Sequence, residues 1–209
     1  MTHPKLVETM SKTDFYPHMP ESVELVQTHI SYIFIAGDYV YKVKKAVDFG
    51  FLDFTDLEKR KHYCYEELKL NRRLAPETYL EVVEISEDTR SNIILTKGEH
   101  VVEYAVKMRK LPRERMLKKL LAAGEVDISV MEAIAGKLAD FHREAATGNG
   151  IDLIGGIETI RRNHDENFAQ TKSYLDITIP EYKYRFIKSY IYDFIDKRET
   201  LFRKRVTDH

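Results

Sequence analysis

Two groups in YVYKVKKAVDFGFLDF, residues 39–54, are of the types that phosphoryl transfer uses. Lys42 stands late in a run with β character, where an ammonium can neutralise nucleotide phosphates, and Asp48-Phe49-Gly50 offers an aspartate of the kind that holds magnesium. Side chains alternate along a strand, so Val40, Lys42 and Lys44 share one face while Tyr39, Tyr41 and Val43 share the other. With Val40 beneath a purine ring, Lys42 projects along the same face toward the phosphates. On these letters alone, an edge strand showing Lys42, Lys44 and Lys45 to solvent is the simpler account.

A strand lysine used in this way is held by a helix carboxylate. A helix is predicted to start at Thr55, which forms a capping box with Glu58, and to run through LEKRKHYCYEELKLNRRL until Pro76 stops it. Cys64, Glu67, Asn71 and Leu74 lie along one side of it, and Glu66 is turned about 100° away toward solvent. Glu67 is therefore predicted to face inward. Pairing within its own helix is disfavoured, because position 71 is Asn and position 63 is Tyr. The spacing thus makes Glu67 the expected partner of Lys42.

Periodicity supplies the elements that must position this pair. An amphipathic start around Leu6 to Met10 precedes SVELVQTHISYIFIAGDYVYKVKK, three predicted strands rich in Val, Ile, Tyr and Phe, the last two joined at Gly37-Asp38. After the Glu67 helix, TYLEVVEIS, NIILTKG and VVEYAVKMR form a meander with turns at Glu87-Asp88 and Gly98-Glu99. From Pro112 the period becomes helical. One helix spans Pro112 to Gly124, and the next is capped by Ser129 with Glu132 and carries Val130, Ile134, Leu138 and Phe141 on one face. A third runs from Ile157 to Leu175 with Ile160, Phe168 and Tyr174 buried, and a fourth opens at Pro180 and carries Tyr184, Ile187, Ile191, Phe194 and Phe202. TGNGIDLIGG, residues 147–156, is the one loose stretch.

The order implies an α+β fold. Residues 1–110 are expected to form an antiparallel sheet of five or six strands with helix 55–75, and residues 111–209 a helical part, the two meeting near Met108 to Pro112. Among 209 residues, 33 basic and 34 acidic side chains nearly cancel, which gives no general attraction for polyanions; no nucleic-acid partner is expected. The basic runs RKLPRERMLKK and KRETLFRKR interleave with Leu, Met and Phe and read as solvated helix faces. Cys64, the single cysteine, cannot form an internal disulfide, and no signal peptide or apolar run of membrane length is seen. A soluble cytoplasmic protein is the expectation.

THISYIFIAGDYVYKVKKAVDFGFLDF, EKRKHYCYEELKLNRRLAPETYL, EYAVKMRKLP and LADFH together resemble the amino-terminal part of bacterial aminoglycoside-phosphotransferase-like proteins, some longer members of which also carry a separate P-loop ATPase module. The resemblance covers essentially the whole chain. It implies a protein-kinase-like fold with Lys42 as the ATP-phosphate lysine, Glu67 as its partner, and Lys107 to Leu111 as the hinge between lobes; Val40, and Met108 within that hinge, join the expected cofactor-binding residues. The phosphate-covering turn is then QTHIS, which has no glycine, so contacts fall to its backbone N–H groups and to Thr28 and Ser31. An ordinary β-turn explains the same letters.

The family's His-Gly-Asp-x-x-x-x-Asn loop and its second, metal-binding aspartate are missing. The resemblance therefore implies a truncated ATP-binding portion that is not catalytically competent alone, with Mg2+ held only if the missing catalytic lobe is supplied. Asp48-Phe49-Gly50 comes too soon after Lys42 to be the metal-binding copy. Asp48 is instead expected to shape a turn, with Phe49, Phe51 and Phe54 filling the connection to the Glu67 helix. NHDEN, residues 163–167, has the wrong spacing for a catalytic loop and reads as a solvated helix face. His3, His18, His29, His62, His100, His142, His164 and His209 show no metal-ligand spacing with Cys64. Two other readings stay open. One is a pseudokinase-like interaction module, self-associating or covered by a partner over Ile191, Phe194 and Phe202; the other is an enzyme using the acids and histidines present.

Overall fold

The computed structural model describes residues 4–148 and 150–208. Its fold is α+β: one six-stranded antiparallel sheet and, among the described residues, eight α-helices. The chain divides into two compact units between Phe141 and His142.

In the first unit, helix α1 (Pro4–Met10) is followed by the meander β1 (Val23–Gln27), β2 (Ser31–Ala36) and β3 (Tyr39–Lys44). Helix α2 (Leu57–Arg72) comes next, then β4 (Tyr79–Glu87), β5 (Ile93–Ile94) and β6 (His100–Arg109). The strand order is β1-β2-β3-β6-β4-β5. Strand β3 is therefore interior, paired with β2 on one side and β6 on the other, and its lysines are not on an edge. The segment expected as a full strand at NIILTKG shortens to two paired residues, Ser86 and Glu87 of β4 standing opposite Ile94 and Ile93.

The two faces of the sheet are covered by different helices, as alternation requires. On one, Phe34, Tyr41, Val43, Ile85 and Ala105 are buried with Leu6 and Met10 of α1. Tyr16 closes this side: its ring lies 4.9 Å from that of Tyr41, and its buried hydroxyl donates to the Met10 carbonyl at 2.6 Å. On the other, Cys64 of α2 packs with Tyr104 and Val106, flanked by Leu57, Tyr79, Val82 and Met108.

Helix α2 starts later than expected. Asp56, not Thr55, is its N-cap, accepting from the Lys59 N–H at 2.8 Å. Thr55 is diverted, because its hydroxyl donates to Asp53 at 2.6 Å, and a carboxylate suits the positive helix start better. Asp48 shapes the preceding turn as expected, accepting from the Gly50 N–H at 2.7 Å, and Gly50 has φ +79°, which suits glycine. The connection is a tight hairpin, closed by Phe49 N–H to Leu52 and Phe54 N–H to Val47 bonds. Phe54 is buried, but Phe49 and Phe51 point outward and stack on each other at 6.2 Å rather than filling the connection.

A buried ion pair ties the start of α2 to β6. Arg60 Nε donates to both carboxylate oxygens of Glu103, at 3.0 and 2.9 Å, and its Nη1 donates to the carbonyls of Phe54 and Thr55 at 3.0 and 3.2 Å. Glu103 also accepts from the Tyr104 N–H at 3.0 Å.

After β6, a single 3-10 turn leads to α3 (Leu117–Ala123), which ends in Gly124 with left-handed backbone. Helix α4 (Ile128–Arg143) is capped by Asp127, which accepts from the Val130 N–H and from the Ser129 hydroxyl, so Ser129 lies inside the helix instead of capping it. Leu138 is exposed, and Phe141 is covered by the Arg73 guanidinium at 4.9 Å.

The second unit contains α5 (Ile151–Gly155), α6 (Ile157–Thr171), α7 (Glu181–Lys197) and α8 (Glu199–Asp208). Helix α5 forms inside the stretch expected to be loose, of which Asn149 lies outside the described residues. Ile157, Phe168 and Ile195 are the buried residues among those described here, and the Tyr184 hydroxyl donates to the Phe168 carbonyl at 3.0 Å. Tyr174, expected inside, is exposed because the helix tightens to a 3-10 turn at residues 172–174.

Removing one partner of a buried pair leaves an uncompensated charge. Arg60→Ala is expected to lower the unfolding free energy in urea by roughly 3 kcal/mol, and Arg60→Met with Glu103→Leu to recover most of it. An Arg60→Ala protein as stable as wild type would contradict this role.

Candidate functional site

The site begins with alternation along β3. Lys42 stands opposite Ile33 of β2 and Val106 of β6, and Lys44 opposite Ser31, so both lysines project from the face that α2 covers. Burial of Cys64 sets the rotation of α2, and Glu67, one turn on, is thereby aimed at the strand.

The two elements meet at one carboxylate. Lys42 Nζ donates to Glu67 Oε1 at 2.8 Å, and Lys44 Nζ donates to Glu67 Oε2 at 2.7 Å. The lysines differ in access: the Lys42 side chain is 27% exposed, whereas that of Lys44 is 5% exposed and lies 5.0 Å from the centre of the buried Phe54 ring. Burial pushes the Glu67 carboxyl up, but the hydrogen bonds and charges of Lys42 and Lys44 outweigh it and hold it below its usual range. Two ammonium groups thus meet one carboxylate, an excess of one formal positive charge. Three charged groups on a protected face cost desolvation energy that an apolar trio would avoid, so stability alone is a weak reason for their presence.

Val40 and Met108 are register partners on β3 and β6, both half-buried and on the Lys42 face. The structure thus brings together Lys42, Glu67, Val40 and Met108. It places Thr28 and Ser31 differently. The Thr28 hydroxyl is engaged inside its own turn, accepting from the N–H groups of Ile30 and Ser31 at 3.3 and 3.0 Å. Ser31 is buried, with no hydrogen-bond partner for its Oγ among the described residues. Lys45 ties the turn down by donating to the Thr28 carbonyl at 2.8 Å and to Gln27 at 3.2 Å.

The remaining chemistry-bearing residues do not assemble. Burial pushes the Cys64 thiol up to about 12, with nearby Lys44 opposing, so it is not a thiolate nucleophile at neutral pH. Asp165 and Glu166 are exposed, and Asp165 accepts from the Tyr192 hydroxyl. No group of three or more His, Cys, Asp or Glu able to hold a metal stands among the described residues; His3 and His209 lie outside them. A cavity of about 450 Å³ lies against Thr147, Asp152 and Arg205, and one of about 310 Å³ against Tyr65, Glu81 and Lys97. Neither includes Lys42 or Glu67. No helix among the described residues is long and apolar enough to cross a membrane.

Lys44 is the residue that sequence reasoning undervalued. Alternation already put it on the face of Lys42, and an inward glutamate offers two oxygens; that pairing was the available signal.

The chain is similar to uncharacterized proteins of Mycobacterium tuberculosis and Mycobacterium bovis, 31% identical over 186 residues. The match covers 89% of this chain and 36% of theirs, so the chain spans about a third of the length of these relatives. No protein-family model matches the chain, and no solved structure matches it.

Because the Glu67 carboxyl is held below its ordinary value of 4.5, its pairing stabilises the fold above that pH and is lost as pH falls through the lowered value. As pH falls from 4.5 through that lowered value, the unfolding free energy of wild type should fall more steeply than that of Glu67→Gln. Parallel pH profiles would contradict the assignment.

Proposed function

We propose that this chain binds ATP in a protein-kinase-like manner, as the nucleotide-holding part of a small-molecule phosphotransferase-like site. Lys42 holds the phosphates, Glu67 holds Lys42, and Val40 with Met108 forms the apolar surface under the base. The observation that carries the reading is the 2.8 Å pair between an interior-strand lysine and an inward helix glutamate 25 residues later. Such a pair matters for phosphate because an ammonium held at one end stays oriented at low entropic cost, and a compact point charge needs no bidentate geometry.

The residues fit this use of a nucleotide. Lys42 keeps an open side while its partner is shielded, so the cation can exchange water for phosphate oxygens. Val40 and Met108 present half-buried apolar surface on the same face, which suits a flat base. The β1–β2 turn supports phosphate less directly, since the Thr28 hydroxyl is already engaged and Ser31 is buried. No magnesium ligands are assigned to the described residues, so the metal enters this reading only as the companion of the nucleotide.

Calorimetric titration of ATP into wild type and Lys42→Ala tests the reading. Wild type is expected to bind, and Lys42→Ala to bind at least about tenfold more weakly, the loss of one charge-assisted contact. Equal affinity of the two proteins, or a wild type that does not bind, would overturn it.

A further inference from the structure

The Lys42–Glu67 pair is bracketed by a second lysine that the nucleotide reading does not require. If Glu67 met Lys42 alone, ammonium and carboxylate would form a closed, neutral pair, and little net charge would remain to attract a phosphate. Here one carboxylate is shared by two ammonium groups, one on each oxygen. Their Cα atoms are about 6.6 Å apart along one strand face, and their long side chains converge on the two oxygens of one carboxylate. Only one of the two cations has a side open to solvent.

We infer that Lys44 is a positioning residue: by neutralising Glu67 from the buried side, it leaves the charge of Lys42 available to an anionic phosphate chain. The inference rests on the ATP reading above. Lys44 does not touch the nucleotide itself, because its side chain is enclosed between the Glu67 carboxylate and the Phe54 ring. Neighbouring residues fix its placement. Ser31 stands opposite it on β2, Phe54 closes the hairpin beside it, and Glu67, with Cys64 nearby, comes from the covering helix. A group held this rigidly acts through the carboxylate it touches.

This division of labour makes the two lysines distinguishable. Loss of Lys42 removes the phosphate contact. Loss of Lys44 leaves Lys42 in place but lets Glu67 quench it, and simultaneous loss of the Glu67 charge lifts that quenching. Adenosine, which has no phosphate, should be indifferent to Lys44, and damage to the fold should weaken adenosine and ATP together.

The test is calorimetric titration of ATP and of adenosine into wild type, Lys42→Ala, Lys44→Met, Glu67→Gln and the double variant Lys44→Met with Glu67→Gln, with circular dichroism confirming the fold. Lys44→Met is expected to bind ATP about tenfold more weakly with adenosine affinity unchanged, a coupling typical of residues in contact. The double variant should bind ATP more tightly than Lys44→Met, because no carboxylate charge is left to quench Lys42. An Lys44→Met protein that binds ATP like wild type, or loses ATP and adenosine affinity equally, would overturn the inference while leaving the ATP reading intact. Should Lys44→Met not fold, comparing the double variant with Glu67→Gln decides: with no carboxylate charge to neutralise, loss of Lys44 should change ATP affinity by less than about threefold, and a further loss of about tenfold overturns the inference. A wild type that does not bind ATP overturns both.

Discussion

A carboxylate placed on the protected face of a sheet must find cations, and in this protein that requirement links helix α2 to the sheet. Glu67 meets Lys42 and Lys44 at 2.8 and 2.7 Å. To supply both, β3 must present alternate residues to the helix, which fixes the opposite residues, Tyr41 and Val43, in the core behind the sheet. To bring Glu67 within reach, α2 must lie across β4 and β6 with Cys64 downward, and the Arg60–Glu103 pair anchors its first turns there. Helix α1 and Tyr16 then cover the face that α2 leaves bare.

This arrangement separates burial from access. Packing holds Lys44 and Phe54 as a shielded backing, while Lys42 keeps part of its surface toward solvent between Val40 and the carboxylate. A purely structural ion pair gains little from such asymmetry, since buried pairs contribute weakly to net stability and exposed ones contribute less. The asymmetry is what a phosphate-binding cation needs: one end held, the other open.

Much of this was legible in the sequence because it depends on short periods. Period two assigned Lys42 and Lys44 to one face, and the helical period pointed Glu67 inward; both readings follow from local geometry. The N-cap was not legible, since Thr55 and Asp56 are both good caps and the choice turns on Asp53 capturing the Thr55 hydroxyl. The outward turn of Phe49 and Phe51 depends on a hairpin closed by backbone bonds, and hydrophobicity alone argues for the opposite. Arg60 and Glu103 are 43 residues apart on elements whose register no single-sequence pattern supplies. The interior place of β3 needed the β3–β6 pairing, which joins strands separated by a helix and two other strands.

The most direct measurement is NMR of the lysine ammonium groups during nucleotide titration. With Lys42 and Lys44 resonances assigned by substitution, ATP should shift the Lys42 15Nζ signal strongly and leave that of Lys44 nearly unmoved, while adenosine should shift neither. A Lys44 signal that moves in place of that of Lys42, or two signals that both ignore ATP, would contradict the account.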